Sequence, residues 1–362
     1  MLDDDGKPLP GARVPSIPDA TLARMFELMM LTRMLDDRAV QLSRQGRIGS
    51  YMASIGEEAS QLAVAPLTAA DWVFPSYRDP GAWLWRGCAI QALVDQLFGN
   101  AGDPSKGRQV PGHHAARALN LVSISSPVGT QLPQAAGAAY AARMQGRDDV
   151  TMALFGEAAT STGEFHVGVN FAAVWKAPCV FVCRHSGWTG GAPSAVQTAA
   201  RTYAAKASGY GIPGVRVDGN DALAVWQVAS EAIARARAGE GPTLIEALTY
   251  RPVPPPGTDA PPAAEVLALR GSHAQKDPLH RLRGYLRHAE LWSERWEAEL
   301  AERHDREIAS AVATAEGKLR PALETLFDDV YDHLPWHLRE QRAYLQAQPR
   351  VEPEPGENLR QT

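Results

Sequence analysis

Two short stretches combine an acid, a cation and small residues in the pattern that a bound anion with a divalent ion would need. The first is Gly156-Glu157-Ala158-Ala159-Thr160, directly after the apolar run TMALF; the second is Arg184-His185-Ser186-Gly187-Trp188, directly after CVFVC. Each reads as the turn at the end of a buried strand. Open parallel sheets bind ligands at the carboxyl ends of their strands, where the following helix offers free backbone N–H groups to an anion. Magnesium takes one or two oxygens from protein and the rest from phosphate and water, so Glu157 and polar groups on the second turn would hold one ion against a diphosphate. Taken singly, a Gly-acid-small turn is ordinary turn chemistry. The two turns point to a site because they stand side by side in one βαβ unit. Neither a GxxxxGK[ST] run nor a GxGxxG run occurs, which disfavours the nucleotide folds built on them.

The elements that must position these turns are legible in part. Strand, turn and helix alternate through TMALF, the helix after it, CVFVC, GVRVD, the amphipathic ALAVWQVASEAIARARAGEG and LIEAL. At least three strands alternate with helices, so the fold class is α/β, a helix-flanked parallel sheet. Before them, a long amphipathic helix runs from Thr21 with Leu28, Leu31, Leu35, Ala39 and Leu42 on one face and stops at Gly46. A second helical run lies near GAWLWRGCAIQALVDQLFGN, followed by a long loop, AGDPSKGRQVPGHHAARALN. Residues 1–20 read as an extended arm of the kind that lies on a neighbour, residues 21–347 as one domain, and residues 348–362 as a disordered tail. Six prolines between 252 and 262 require a loop.

Composition narrows the function classes. The 362 residues carry 36 Lys+Arg against 41 Asp+Glu, a net charge of -5, so no basic field attracts a nucleic acid. The hydrophobic fraction of 45% excludes a disordered chain. No stretch of about 18 apolar residues suggests a membrane span. Cys88, Cys179 and Cys183 make no disulfide framework, and with an acidic amino terminus they lead us to expect a cytoplasmic protein.

Several longer motifs occur in a fixed order: MLTRMLDDRAVQLSRQGRIGSY, DWVFPSYRDPG, LFGNAGDPSKGRQVPGHH, SISSPVGTQLPQAAGAAYA, GEAATSTGEFHVGVNFAAVWKAP, VRVDGNDALAV, PTLIEALTYR and LFDDVYDHLPWHLREQ. Through them the chain resembles the alpha subunit of the thiamine diphosphate-dependent decarboxylating component of 2-oxo acid dehydrogenase complexes. The branched-chain (2-oxoisovalerate) kind is the most similar. The resemblance spans residues 22–345 and implies the thiamine diphosphate-binding fold.

By that resemblance Tyr77, Arg78 and Arg184 would hold the diphosphate, and Ser126 and Val128 would line its site. Gly156 and Ala158 would approach it through backbone N–H groups beside Ala159. Glu157, Ser186 and the backbone carbonyl of Trp188 would ligate Mg2+, and Ser125, Pro127, Thr130 and Gln131 would bind a monovalent cation such as K+. His113 would face the reacting carbons. The implied activity is decarboxylation of a 2-oxo acid, with 3-methyl-2-oxobutanoate as the expected substrate, and acyl transfer to the lipoyl group of an acyltransferase component. The implied assembly is an α2β2 heterotetramer in which a beta subunit completes the site.

The chain departs from that family in three places. Family members have Asn-Asn where this chain has His185-Ser186, and a serine hydroxyl is a weaker magnesium ligand than an amide carbonyl. Ala158 and Thr162 replace a glycine and an acid. Pro254, Pro255 and Pro256 stand where the family carries two histidines and a serine, and loss of an acid–base group costs about 10²- to 10⁴-fold in rate. The sequence therefore leaves open a working alpha subunit, a catalytically degenerate paralogue that pairs with a beta subunit as a structural or regulatory partner, and a pyruvate- or acetoin-type alpha subunit.

Overall fold

Long apolar runs without alternation form strands buried on both faces, and the computed structural model places TMALF and CVFVC in that setting. It describes residues 1–189, 192–251 and 276–349. In chain order the main elements are helices α1 (Asp19–Arg44) and α2 (Glu58–Gln61), strand β1 (Trp72–Phe74), and helices α3 (Pro80–Trp85), α4 (Ile90–Phe98) and α5 (Gln131–Met144). Strand β2 (Thr151–Gly156), helix α6 (Gly163–Val174), strand β3 (Cys179–His185) and the short β4 (Trp188–Thr189) and β5 (Ala192–Pro193) follow. The chain continues with β6 (Gly214–Asp218), α7 (Ala222–Arg237), β7 (Thr243–Leu248), α8 (Pro278–His288), α9 (Glu294–Glu316) and α10 (Trp336–Ala347). The proline-rich loop and residues 350–362 of the expected tail lie outside the described residues.

One parallel sheet has the order β1-β2-β3-β7-β6, and its two faces feed two cores, as the period of two requires. Met152, Leu154, Val180, Val182, Ile245 and Ala247 pack under α1, α3, α4, α7 and α9. Ala153, Phe155, Cys179, Phe181, Cys183 and Leu244 pack under α5 and α6. The α/β architecture expected from the sequence is therefore present, and it is the helix-flanked sheet of a thiamine diphosphate-binding fold. No described helix is long and apolar enough to cross a membrane.

Helix α5 carries no amphipathic stripe; its buried face is Leu132, Ala135, Ala136, Ala139 and Ala142. These small residues let α6 come close, and a Cβ at Gly168 would stand 2.7 Å from the Leu132 carbonyl carbon and from the Pro133 nitrogen. The single helical run expected near residues 81–100 is two helices, α3 and α4, because the chain turns at Gly87 with φ of +91°.

The start of the amino-terminal arm packs on its own chain. Leu2 is buried, its N–H donates to Asp221 Oδ2 at 2.6 Å, and its carbonyl accepts from Arg281 Nη2 at 2.5 Å. Asp221 also caps α7, accepting from Leu223 and Ala224. An apolar side chain and a shared carboxylate thus hold the first residues of the arm.

Candidate active site

Because the strands are parallel, their carboxyl ends meet on one edge. Gly156 is in register with Arg184, and His185 with Leu248. Around them lies a cavity of about 350 Å³. The end of β1 delivers Tyr77 and Arg78, β2 delivers Gly156, Glu157, Ala158 and Ala159, and β3 delivers Arg184. The turn before α5 adds Ser125, Val128 and Gln131. Six further residues line it that sequence reasoning passed over, Met52, Glu57, Ser76, Phe155, Thr189 and Arg251, and of these Glu57 and Arg251 are charged.

Arg184 is held by a dense set of partners. Its Nη1 pairs with Asp79 Oδ1 at 2.5 Å and donates to the Arg78 carbonyl at 2.8 Å, and Nη2 donates to Ser76 Oγ at 2.7 Å. Burial works against its charge, but Asp79 and Glu57 outweigh burial and raise its pKa, so it stays a cation. Arg184 Nε is buried and has no hydrogen-bond partner among the described residues, and the same holds for Glu57 Oε2. A buried donor left unpaired costs about 1–3 kcal/mol, and an anion in the cavity would remove that cost. Gly156 agrees: a Cβ there would meet nothing within 4 Å, so open space lies before its backbone. These residues fit the diphosphate of a bound cofactor.

Charge in the cavity is balanced between guanidiniums and carboxylates. Burial opposes ionisation of Glu57, yet Arg251, Arg184, Arg78 and the Thr249 hydroxyl overcome it and hold the carboxyl below its usual range. Burial pushes the Glu157 carboxyl up, with Glu57 adding to the shift and a backbone hydrogen bond and Arg251 opposing it. Burial and the neighbouring Arg251 both lower the Arg78 pKa. Arg78 Nη1 donates to the Ala53 carbonyl at 2.6 Å.

The expected magnesium ligands do not fit a magnesium ion. Ser186 Oγ donates to Glu157 Oε1 at 3.2 Å and accepts from Arg251 Nη2 at 2.9 Å, so the two oxygens that would ligate are bonded to each other and to a cation. His185 offers nothing in exchange, since its Nδ1 pairs with Glu246 at 2.7 Å and its Nε2 with Ser194 Oγ at 3.0 Å. Trp188, whose carbonyl was the third expected ligand, stands in β4, paired with Pro193 of β5.

Four of the remaining expected residues, His113, Ser126, Pro127 and Thr130, do not line the cavity. His113 is buried, its Nε2 is 2.9 Å from Ser126 Oγ, and its ring stacks on Tyr77 with centroids 5.7 Å apart. The cavity wall at Tyr77 is thus backed by a histidine that is hydrogen-bonded to the Ser126 hydroxyl. Of the expected monovalent-cation set, Ser125 and Gln131 reach the cavity. Pro127 and Thr130 do not line it, and the Thr130 hydroxyl donates to the Pro127 carbonyl at 3.2 Å. Gln131 Nε2 donates to the Leu154 carbonyl at 3.0 Å.

A parallel sheet with an arginine-lined cavity at its carboxyl edge defines an α/β protein built to hold an anionic cofactor. The family model described as the dehydrogenase E1 component matches residues 26–324, and the chain belongs to that family. It is similar to the 2-oxoisovalerate dehydrogenase subunit alpha 2, mitochondrial, of Arabidopsis thaliana, with 37% identity over 348 residues that cover 95% of this chain and 74% of that protein. The human 2-oxoisovalerate dehydrogenase subunit alpha, mitochondrial, shares 37% over 347 residues, 95% of this chain and 78% of that one. The pyruvate dehydrogenase E1 component subunit alpha of Staphylococcus aureus (strain Mu50) is as similar, with 38% over 343 residues, 94% of this chain and 90% of that protein.

Proposed function

We propose that this chain is the alpha subunit of a branched-chain 2-oxo acid dehydrogenase. It would decarboxylate 3-methyl-2-oxobutanoate with thiamine diphosphate and pass the acyl group to the lipoyl group of an acyltransferase component. The observation that carries the reading is the convergence of Arg78, Arg184 and Arg251 on one cavity, with Arg184 Nε buried and unpaired. When bound, the cofactor supplies the carbon nucleophile and electron sink that decarboxylation requires. Arg184, clamped by Asp79, would offer its unpaired Nε–H to a phosphate oxygen, and Arg78 would add charge from the end of β1. The Gly156 backbone leaves the close approach that a phosphate needs. His113 holds or moves a proton at Nε2, where Ser126 Oγ now sits. A beta subunit completes the site in an α2β2 assembly, and a cytoplasmic location accords with the three free cysteines.

A second reading, a catalytically degenerate paralogue that serves a beta subunit as scaffold or regulator, is favoured by the engagement of His185 with Glu246 and Ser194. Pyruvate takes the place of the branched substrate in a third, since pyruvate-type relatives are equally similar. One experiment separates them. The chain is co-expressed with a beta subunit, and carbon dioxide release from 3-methyl-2-oxobutanoate and from pyruvate is measured with added thiamine diphosphate. Preference for the branched acid supports the proposal and preference for pyruvate reassigns the substrate. A stable assembly without turnover of either supports the degenerate paralogue.

A further inference from the structure

Where the two strand-end turns meet, an arginine occupies the polar contact that a metal ion would otherwise make. Arg251 Nη2 donates to Ser186 Oγ at 2.9 Å, Ser186 Oγ donates to Glu157 Oε1 at 3.2 Å, and Arg251 Nε lies 3.9 Å from Glu57 Oε1. Arg251 thus stands close to both buried cavity carboxylates, and its charge acts on each of them. We infer that Arg251 is the fixed cation of this site, so that a diphosphate group binds here to guanidiniums without a divalent ion. The inference rests on the reading of the cavity as a diphosphate site.

Three observations support it. A diphosphate brings several negative charges, and the cavity supplies Arg78, Arg184 and Arg251 to meet them. Guanidiniums suit this task because their planar fork pairs with two phosphate oxygens at once. The donor set for a metal is also poor: magnesium needs its one or two protein oxygens turned toward it, whereas Glu157 Oε1 and Ser186 Oγ are bonded to each other and Ser186 already accepts from a cation. Finally, of the three guanidiniums it is Arg251 that bonds Ser186 between the two turns. Arg184 is committed to Asp79, Ser76 and the Arg78 carbonyl, and Arg78 to the Ala53 carbonyl.

Calorimetric titration of the full chain with inorganic diphosphate, once in EDTA and once in Mg2+, tests the inference, because that probe needs only residues of this chain. The expected result is the same affinity in both. Arg251→Met should weaken binding in EDTA by about tenfold or more, the loss expected for one charge-assisted hydrogen bond. Ser186→Asn, which adds an amide carbonyl, should make binding improve when Mg2+ is added. Binding by the wild type only in Mg2+, or unchanged affinity in a folded Arg251→Met, would overturn the fixed-cation inference and leave the diphosphate reading standing. No binding in either condition would overturn both.

Discussion

Arg184 and Asp79 form a pair whose value depends on both members being present. Both are buried, and removing one partner of such a pair costs about 3–5 kcal/mol because the other is left charged and alone. Arg184→Ala should therefore lower the urea midpoint sharply and abolish the thermal shift produced by thiamine diphosphate. An Arg184→Ala chain with wild-type stability would show that the pair has no such role. Asp36 makes a second prediction away from the site. Burial pushes its carboxyl up to about 7, although Tyr51 and Ser54 hydrogen-bond it. Its pKa in the folded chain is above that of the unfolded chain, so the stability it contributes is complete below about pH 4 and is lost as pH rises through about 7. The wild type should lose roughly 4 kcal/mol over that window, and Asp36→Asn should lose less. Parallel urea curves at pH 4 and pH 8 measure the difference, and equal slopes in the two proteins would contradict the assignment.

At the scale of elements, what the sequence reveals depends on how each element is buried. Strands β2 and β3 announce themselves because burial on both faces demands unbroken apolar runs, and their ends therefore mark the two turns that carry Glu157 and Arg184. Strand β1 has only three residues and sits beside a polar turn, so no period is visible. Helix α5 is hidden because alanines fill its buried face. Its packing on α6 leaves no room at Gly168, and overpacking of this kind costs about 1–3 kcal/mol. Gly168→Val should thus lower the melting temperature of the folded chain while Gly163→Ala, where a Cβ meets nothing within 4 Å, should change it far less. Similar melting temperatures for the two variants would mean that α5 and α6 part easily.

Over the whole molecule, the site is assembled from segments far apart in sequence, and this limits what the sequence discloses. Glu57, Arg78, Glu157, Arg184 and Arg251 reach one cavity only because a parallel sheet brings its carboxyl ends together. Ten of the residues expected from the sequence line that cavity, which the resemblance placed by motif: Tyr77, Arg78, Ser125, Val128, Gln131, Gly156, Glu157, Ala158, Ala159 and Arg184. Glu57, an acid before a four-residue helix, lies outside every motif, and Arg251 is the last residue of PTLIEALTYR with no role attached to it. The contact between Ser186 and Arg251 likewise appears only in three dimensions, and it changes the metal expectation. The central claim is that this cavity takes the diphosphate of thiamine diphosphate, and a crystal structure of the chain with its beta subunit, grown with that cofactor, tests it most directly. The account predicts diphosphate density within hydrogen-bond reach of Arg184 Nε and the backbone between Gly156 and Ala158. A cofactor bound elsewhere, or a cavity without density at saturating cofactor, would contradict it.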